Sequence, residues 1–191
     1  MGMTVKRRKD SNVPHVMIHK IADVRGGVSV KTADLPSDVD FLPEGTFLER
    51  PDGGICSVKK YARLYEDTQV TATSVKIEKG SLLNVGDIIA GDGINNMVKV
   101  VAITRDNSYD TITTDKKIGS EESGKIGGGT YIYRDGVSNE NAYAVTGTGM
   151  SIRKGDNINV DAWLIGVMRC EDQSKKVFIE KNIAPKGIVI L

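Results

Sequence analysis

TATSVKIEKGSLLNVGDIIAG, residues 71–91, decides the fold, because the chain carries a second version of it, TGTGMSIRKGDNINVDAWLIG, residues 146–166. Aligned without a gap, eight of the twenty-one positions are identical: Thr71/Thr146, Thr73/Thr148, Ile77/Ile152, Lys79/Lys154, Gly80/Gly155, Asn84/Asn159, Val85/Val160 and Gly91/Gly166. Other positions exchange apolar for apolar, as Val75/Met150, Leu83/Ile158, Ile88/Trp163 and Ile89/Leu164 do. Val75 and Ile77 alternate with Ser74, Lys76 and Glu78, the period-two pattern of a strand with one buried face. Each copy reads as strand, Lys-Gly turn, second strand. The shared residues are strand and turn formers with nothing reactive among them, which assigns the repeat to scaffold. Either an old duplication or convergence of turn-biased residues accounts for it. Equivalent places in a sheet would favour duplication.

Working outward from the two copies, the texture stays strand-turn-strand. Pro51-Asp52-Gly53-Gly54 is a strong turn signal, and residues 98–104 (VKVVAIT), 109–114 (YDTITT), 130–133 (TYIY), 177–180 (VFIE) and 188–191 (IVIL) read as strands. Residues 55–66 fit a strand or one short helix, with strand favoured and Lys59-Lys60-Tyr61 at a bend. Residues 139–144 are the remaining helix-like or loop candidate. About ten short strands at close intervals predict a mainly β sandwich or barrel over residues 41–191. Residues 31–45 hold Pro36, Pro43, three Asp and one Glu, a linker signature that places a boundary there and leaves residues 1–40 as an extended N-terminal arm and linker.

The bulk numbers fit that picture. A chain of 191 residues suits one domain plus an arm, or two small domains. Hydrophobic residues at 39% support a core, and charged residues at 27% support a soluble surface. Twenty-six basic against twenty-five acidic side chains leave +1, without the basic excess of a dedicated nucleic-acid binder. The N-terminus has charge but no apolar stretch behind it, so no signal peptide is read, and no run approaches the ~20 apolar residues of a membrane span. A soluble protein made in the cytosol is the expectation. Cys56 and Cys170 are the two cysteines, too few for a disulfide scaffold; reduced, buried thiols are favoured over a single bridge between them.

Residues 119–125, GSEESGK, match the phosphate-binding G-x-x-x-x-G-K pattern, but Ile126 stands where a hydroxyl should ligate Mg²⁺, and Glu121 and Glu122 would repel phosphate. The sequence continues GGGTYIY, a turn and strand, where a phosphate loop feeds a helix. His15 and His19 have the i, i+4 spacing of a zinc pair, yet follow Pro14 and lack the acidic partner, so no metal site is assigned. The carboxylate pairs Asp106/Asp110, Glu121/Glu122 and Glu171/Asp172 lie at turns, where solubility explains them. Asp87 and Asp161 read as turn formers rather than calcium ligands. No catalytic, cofactor-binding or metal residue is assigned, and no small-molecule substrate is expected. Trp163, in the apolar run AWLIG, reads as core or as a subunit interface, and the apolar end Ile188, Val189, Ile190 and Leu191 reads as buried or as pairing with another subunit's sheet. The basic run Lys6, Arg7, Arg8 and Lys9 reads as a solvated terminus or as an arm touching nucleic acid or another acidic surface.

Three stretches carry a family resemblance: Leu42-Pro43-Glu44-Gly45-Thr46, then Lys79-Gly80 leading to Val85-Gly86-Asp87-Ile88-Ile89, then residues 160–166, VDAWLIG. Together they resemble head-fibre and capsid-decoration proteins of tailed bacteriophages, in which an LP-x-GT opening precedes short strands and a Gly-Asp-hydrophobic turn. The resemblance spans roughly residues 40–191. It implies a non-enzymatic virion protein on the outer capsid surface, made in the host cytoplasm, with the major capsid protein as partner and a homo-oligomer, often a trimer, as its state. Lys6, Arg7, Arg8 and Lys9 would then be the attachment arm. A receptor- or carbohydrate-binding module of a phage tail or baseplate is the alternative, which an exposed aromatic or polar groove would favour.

Overall fold

The computed structural model describes residues 16–91, 93–119, 124–134, 141–153, 155–169, 171–172, 177–178 and 181–191, and they form a nearly all-β chain, as the sequence predicts. In order these are β1 (Met17–Asp23), β2 (Val28–Val30), β3 (Phe41–Leu42), β4 (Phe47–Leu48), β5 (Ile55–Cys56), β6 (Tyr61–Arg63), β7 (Thr68–Gln69), β8 (Ser74–Ile77), β9 (Ile88–Gly91) and β10 (Ile94–Arg105). The second half gives β11 (Asp110–Thr114), β12 (Lys125–Ile126), β13 (Tyr131–Arg134), β14 (Ala144–Thr146), β15 (Met150–Ser151), β16 (Ile158–Val160), β17 (Ala162–Met168), β18 (Glu171–Asp172), β19 (Val177–Phe178) and β20 (Gly187–Ile190). Strand-like runs in the sequence break into several two- and three-residue pieces, because a strand persists only where a partner supplies hydrogen bonds. Residues 55–66 show this: β5 and β6 flank Lys59 and Lys60, and the helical alternative is absent there.

Two sheets dominate. The first has the order β6-β13-β9-β10-β11-β8. Its long strand β10 pairs with β9 through its first half and with β11 through its second, with a bulge between Val100 and Ala102. The sheet curls until its outermost strands meet: Leu64 and Ile77 form a bridge, flanked by Tyr65 N to Lys76 O at 3.0 Å and Glu78 N to Arg63 O at 2.8 Å. Ile77, Leu83, Ile89, Ile112, Ile118 and Ile132 fill the inside, each fully buried. At ~1.5–3 kcal/mol per buried aliphatic side chain, this cluster is the main stabiliser of residues 61–134.

The second sheet has the order β1-β17-β14-β4, with β20 parallel to β17. Its consecutive residues Ala144 and Val145 are both fully buried but belong to different apolar clusters, so β14 is covered on both faces. Phe47, Met168 and Ile183 pack on one side, and Leu42, Leu48 and Cys56 on the other. A small sheet, β16-β2-β5, closes over the second side. Residues 16–40, read from sequence as arm and linker, contribute β1, antiparallel to β17, and β2, between β16 and β5, so sheet membership begins well before residue 41. Residues 1–15 lie outside the described residues.

The two repeat copies do not occupy equivalent places. β8 pairs with β11 and β9 lies between β13 and β10 in one sheet, whereas β15 pairs with β3 and β17 lies in a different sheet. What they share is the turn: Gly80 and Gly155 have φ of 87° and 90°, the left-handed region that favours glycine. Thr71 is exposed while its counterpart Thr146 is fully buried, and Val85 is 56% exposed while Val160 is 1%. Duplication is therefore not supported, and convergence on one turn geometry accounts for the match.

Candidate interaction surfaces

The LPEGT stretch folds into a compact hydrogen-bonded knot against the start of the second repeat copy. Thr146 Oγ1 accepts from Thr46 N (2.9 Å) and donates to Pro43 O (2.8 Å), and Thr46 Oγ1 donates to the same carbonyl (2.7 Å). Gly45 N donates to Thr146 O and Thr146 N to Thr46 O. Gly45 has φ of 83° and lies against Val16, so glycine is required there on both counts. Glu44 Oε1 accepts from Met17 N at 2.6 Å and ties the loop to β1. The motif positions the edge of the second sheet.

A second cluster sits where the two sheets join. Lys60 Nζ lies 2.9 Å from Asp87 Oδ2, with the lysine side chain 1% and the aspartate 10% exposed, and Arg134 Nε lies 3.5 Å from Asp87 Oδ1. Asp87 Oδ2 also accepts from Asn84 N at 2.7 Å, so it does form a turn, as its sequence position suggests. Its partnership with a buried lysine was not legible. Phe47, Tyr61 and Tyr131 continue the junction as a chain of tilted rings with centroids 6.0 and 6.1 Å apart.

Asp110 departs from its sequence reading as a solvated turn carboxylate. It is 1% exposed, its Oδ2 accepts from Arg105 Nη1 at 2.6 Å, and its Oδ1 has Lys79 Nζ at 3.9 Å. Arg105 Nε in turn reaches Asp38 at 3.3 Å. Asp161 accepts from Trp163 Nε1 at 2.7 Å. The Glu121/Glu122 pair lies outside the described residues, as do Cys170, His15 and the run Lys6, Arg7, Arg8, Lys9. At the lysine of the phosphate-loop look-alike, Lys125, the chain enters β12, a strand paired with β7. Cys56 is a free thiol, and burial pushes its pKa up.

The exposed apolar side chains are not scattered. Among the described residues ten large hydrophobics are exposed; Ile18, Ile21, Ile165, Val189 and Leu191 lie on β1, β17 and the end of β20, and Val85, Ile88, Met97 and Val101 lie on or beside β9 and β10. On the second sheet, Ile165 and Val189 alternate with buried Gly166, Met168 and Ile188, and the register sets Ile165 against Gly187 and Val167 against Val189. The predicted interface set therefore divides. Ile188 is core and Ile190 packs on the same cluster, whereas Val189 is 55% and Leu191 67% exposed. Trp163 is half-buried against that core, with Lys20 Nζ 6.0 Å from its ring. Lys20 also donates to Asp23 at 2.7 Å, a bond that raises the lysine pKa and lowers that of the carboxyl.

On the first sheet, Met97, Lys99 and Val101 alternate with buried Val98 and Val100, and Ile88 is the cross-strand partner of Lys99. Gly86 N donates to Val100 O, bringing Val85 alongside. This second apolar face was missed in the sequence because VKVVAIT shows no clean alternation until the bulge is known.

Tyr65, 48% exposed, is the tenth of these described residues, with its ring 5.3 Å from Tyr109 and Lys76 Nζ 4.7 Å from the Tyr109 centroid. Lys76 pairs with Glu66 at 3.0 Å, and that hydrogen bond raises its pKa.

No family model matches the chain, and neither a curated protein nor a solved structure matches it.

Proposed function

We propose that this chain is a structural subunit of a tailed-phage virion, a head-fibre or capsid-decoration protein that works by binding and not by catalysis. What supports the reading is the strip Ile21, Ile165, Val189 and Leu191, apolar and exposed across three neighbouring strands of a sheet whose position is fixed by the LPEGT knot. Contiguous exposed apolar surface marks contact with another macromolecule, whereas single exposed hydrophobics carry no such meaning. Symmetric self-association through apolar burial and attachment to the major capsid protein are the proposed mechanism, with Lys6, Arg7, Arg8 and Lys9 reaching an acidic capsid surface. The test is immunogold labelling of purified virions of a phage that encodes the chain. Label over the head supports the proposal, and virions without label overturn it. Deleting residues 1–12 is expected to lower capsid retention, and unchanged retention removes the arm from the mechanism.

A tail or baseplate glycan-binding module is the second reading, favoured by the exposed Tyr65 ring against half-buried Tyr109, beside Lys76 and Glu66. Glycan-array binding that is lost in Tyr65→Ala, with label at the tail, selects it.

A further inference from the structure

We propose that two copies of this chain join edge to edge through β20, antiparallel about a two-fold axis at Val189, so that the second sheet continues from one copy into the other. The inference rests on the proposed self-association and names its contact.

The edge of β20 carries it. Leu191 N donates to Met168 O, which turns the alternate residues Ile188 and Ile190 away from β17. Ile188 N is used by Pro185 O, but Ile188 O and both backbone groups of Ile190 bond to nothing among the described residues. An unpaired strand edge is a template for another strand, and proteins that stay apart blunt it with charge, proline or a bulge. β1, which also bounds this sheet, is blunted: its register with β17 shifts three times, Lys20 and Asp23 stand on it, and Glu44 Oε1 accepts from Met17 N. β20 has none of these devices. Residues 187–190 hold neither charge nor proline, and their ladder runs from Ile165 against Gly187 to Met168 against Ile190 without a shift.

The occupant is a second copy because this edge fits itself. Giving the free Ile190 N–H of each copy to the free Ile188 O of the other sets Val189 opposite Val189 and Gly187 opposite Leu191. Ile165 leans over Gly187, where a Cβ would stand 3.0 Å from its Cγ1, so the Leu191 that arrives rests against Ile165. The side chains brought together are thus Ile165, Val189 and Leu191, exposed by 43%, 55% and 67% in the single chain. Lys186 does not oppose the contact. It stands three positions from the axis on each copy, so the two lie ~20 Å apart along the ribbon at ~3.4 Å per residue, beyond the Debye length of about 8 Å.

Light scattering on the full chain is expected to show a dimer. Val189→Lys sets two ammonium groups face to face at the axis and is expected to weaken association at least about tenfold, with circular dichroism unchanged. Val189→Cys, in a Cys170→Ser background, sets two thiols on directly opposed positions whose Cα atoms lie ~4.5 Å apart, within disulfide reach. Copper-phenanthroline oxidation is expected to link that variant into a dimer on a non-reducing gel and to leave Ile165→Cys, one strand in from the edge, unlinked. A monomeric or trimeric chain, normal association of Val189→Lys, no link at Val189→Cys, or equal linking of Ile165→Cys overturns the proposal. A monomer that still labels the phage head would give the edge to a capsid strand, removing this contact and leaving the virion proposal standing. Dimers without head label do the reverse.

Discussion

The curled first sheet and the second sheet bury comparable apolar clusters, yet draw their partners from different distances along the chain. In the first, β9, β10 and β11 follow one another as hairpins, and everything from β6 to β13 is one continuous segment. In the second, β1 pairs with β17 and β20 runs parallel to β17, and in the small sheet packed on it β2 pairs with β16 and runs parallel to β5. Loop closure must precede non-local pairing, and local contacts form faster. The difference teaches that one half of the molecule can organise from its own segment, while the other waits for both ends of the chain.

The strongest way to break this comparison is at the junction. Asp87→Ala strands the buried Lys60 ammonium and releases Arg134, and is expected to destabilise by about 3–5 kcal/mol in denaturant unfolding. A loss under about 1 kcal/mol would mean the ion cluster does not hold the halves together. Ile132→Ala opens a cavity inside the curled sheet alone and should cost about 2–5 kcal/mol. Hydrogen exchange should then show lost protection in β9, β10 and β13 with β1 and β17 unchanged; equal loss everywhere would dissolve the distinction. Thr146→Val removes the hydroxyl that serves Thr46 N and Pro43 O, for about 1–3 kcal/mol, with its effect confined to the second sheet. Alkylation sharpens the same boundary without a mutation: Cys56, buried with a raised pKa, should resist iodoacetamide at pH 8 until the second sheet unfolds. The smallest effect concerns Asp23. Its carboxyl pKa is lowered by Lys20, so the pair is intact above the ordinary carboxylate range and is lost only as pH falls through the lowered value. Carbon-13 titration should place that midpoint below 3.8 and return it toward 3.8 in Lys20→Met, with no measurable change in melting temperature.

The same asymmetry explains what the sequence reveals. Val75 and Ile77 alternate with polar residues because β8 has one wet face, and Gly80 announces its turn because little else tolerates that φ. β1, MIHKIAD, gives no such signal: it is an edge strand with register shifts, mostly exposed, and only its pairing with β17 makes it a strand. IVIL at residues 188–191 is apolar throughout, so periodicity cannot separate buried Ile188 from exposed Val189; the register with β17 does. Lys60 and Asp87 are 27 positions apart, and no local pattern joins them. Asp110 looks like turn chemistry until Arg105 folds back across the hairpin.

Tyr61 and Tyr133 are cross-strand partners, and Arg134 N donates to Lys60 O at 3.0 Å, so the chain leaves for the curled sheet and returns from it at one spot. In evolutionary terms, residues 61–134 form a cassette with adjacent ends. A different fold could be exchanged at that point, altering what the molecule displays while the strands around β17 keep their register.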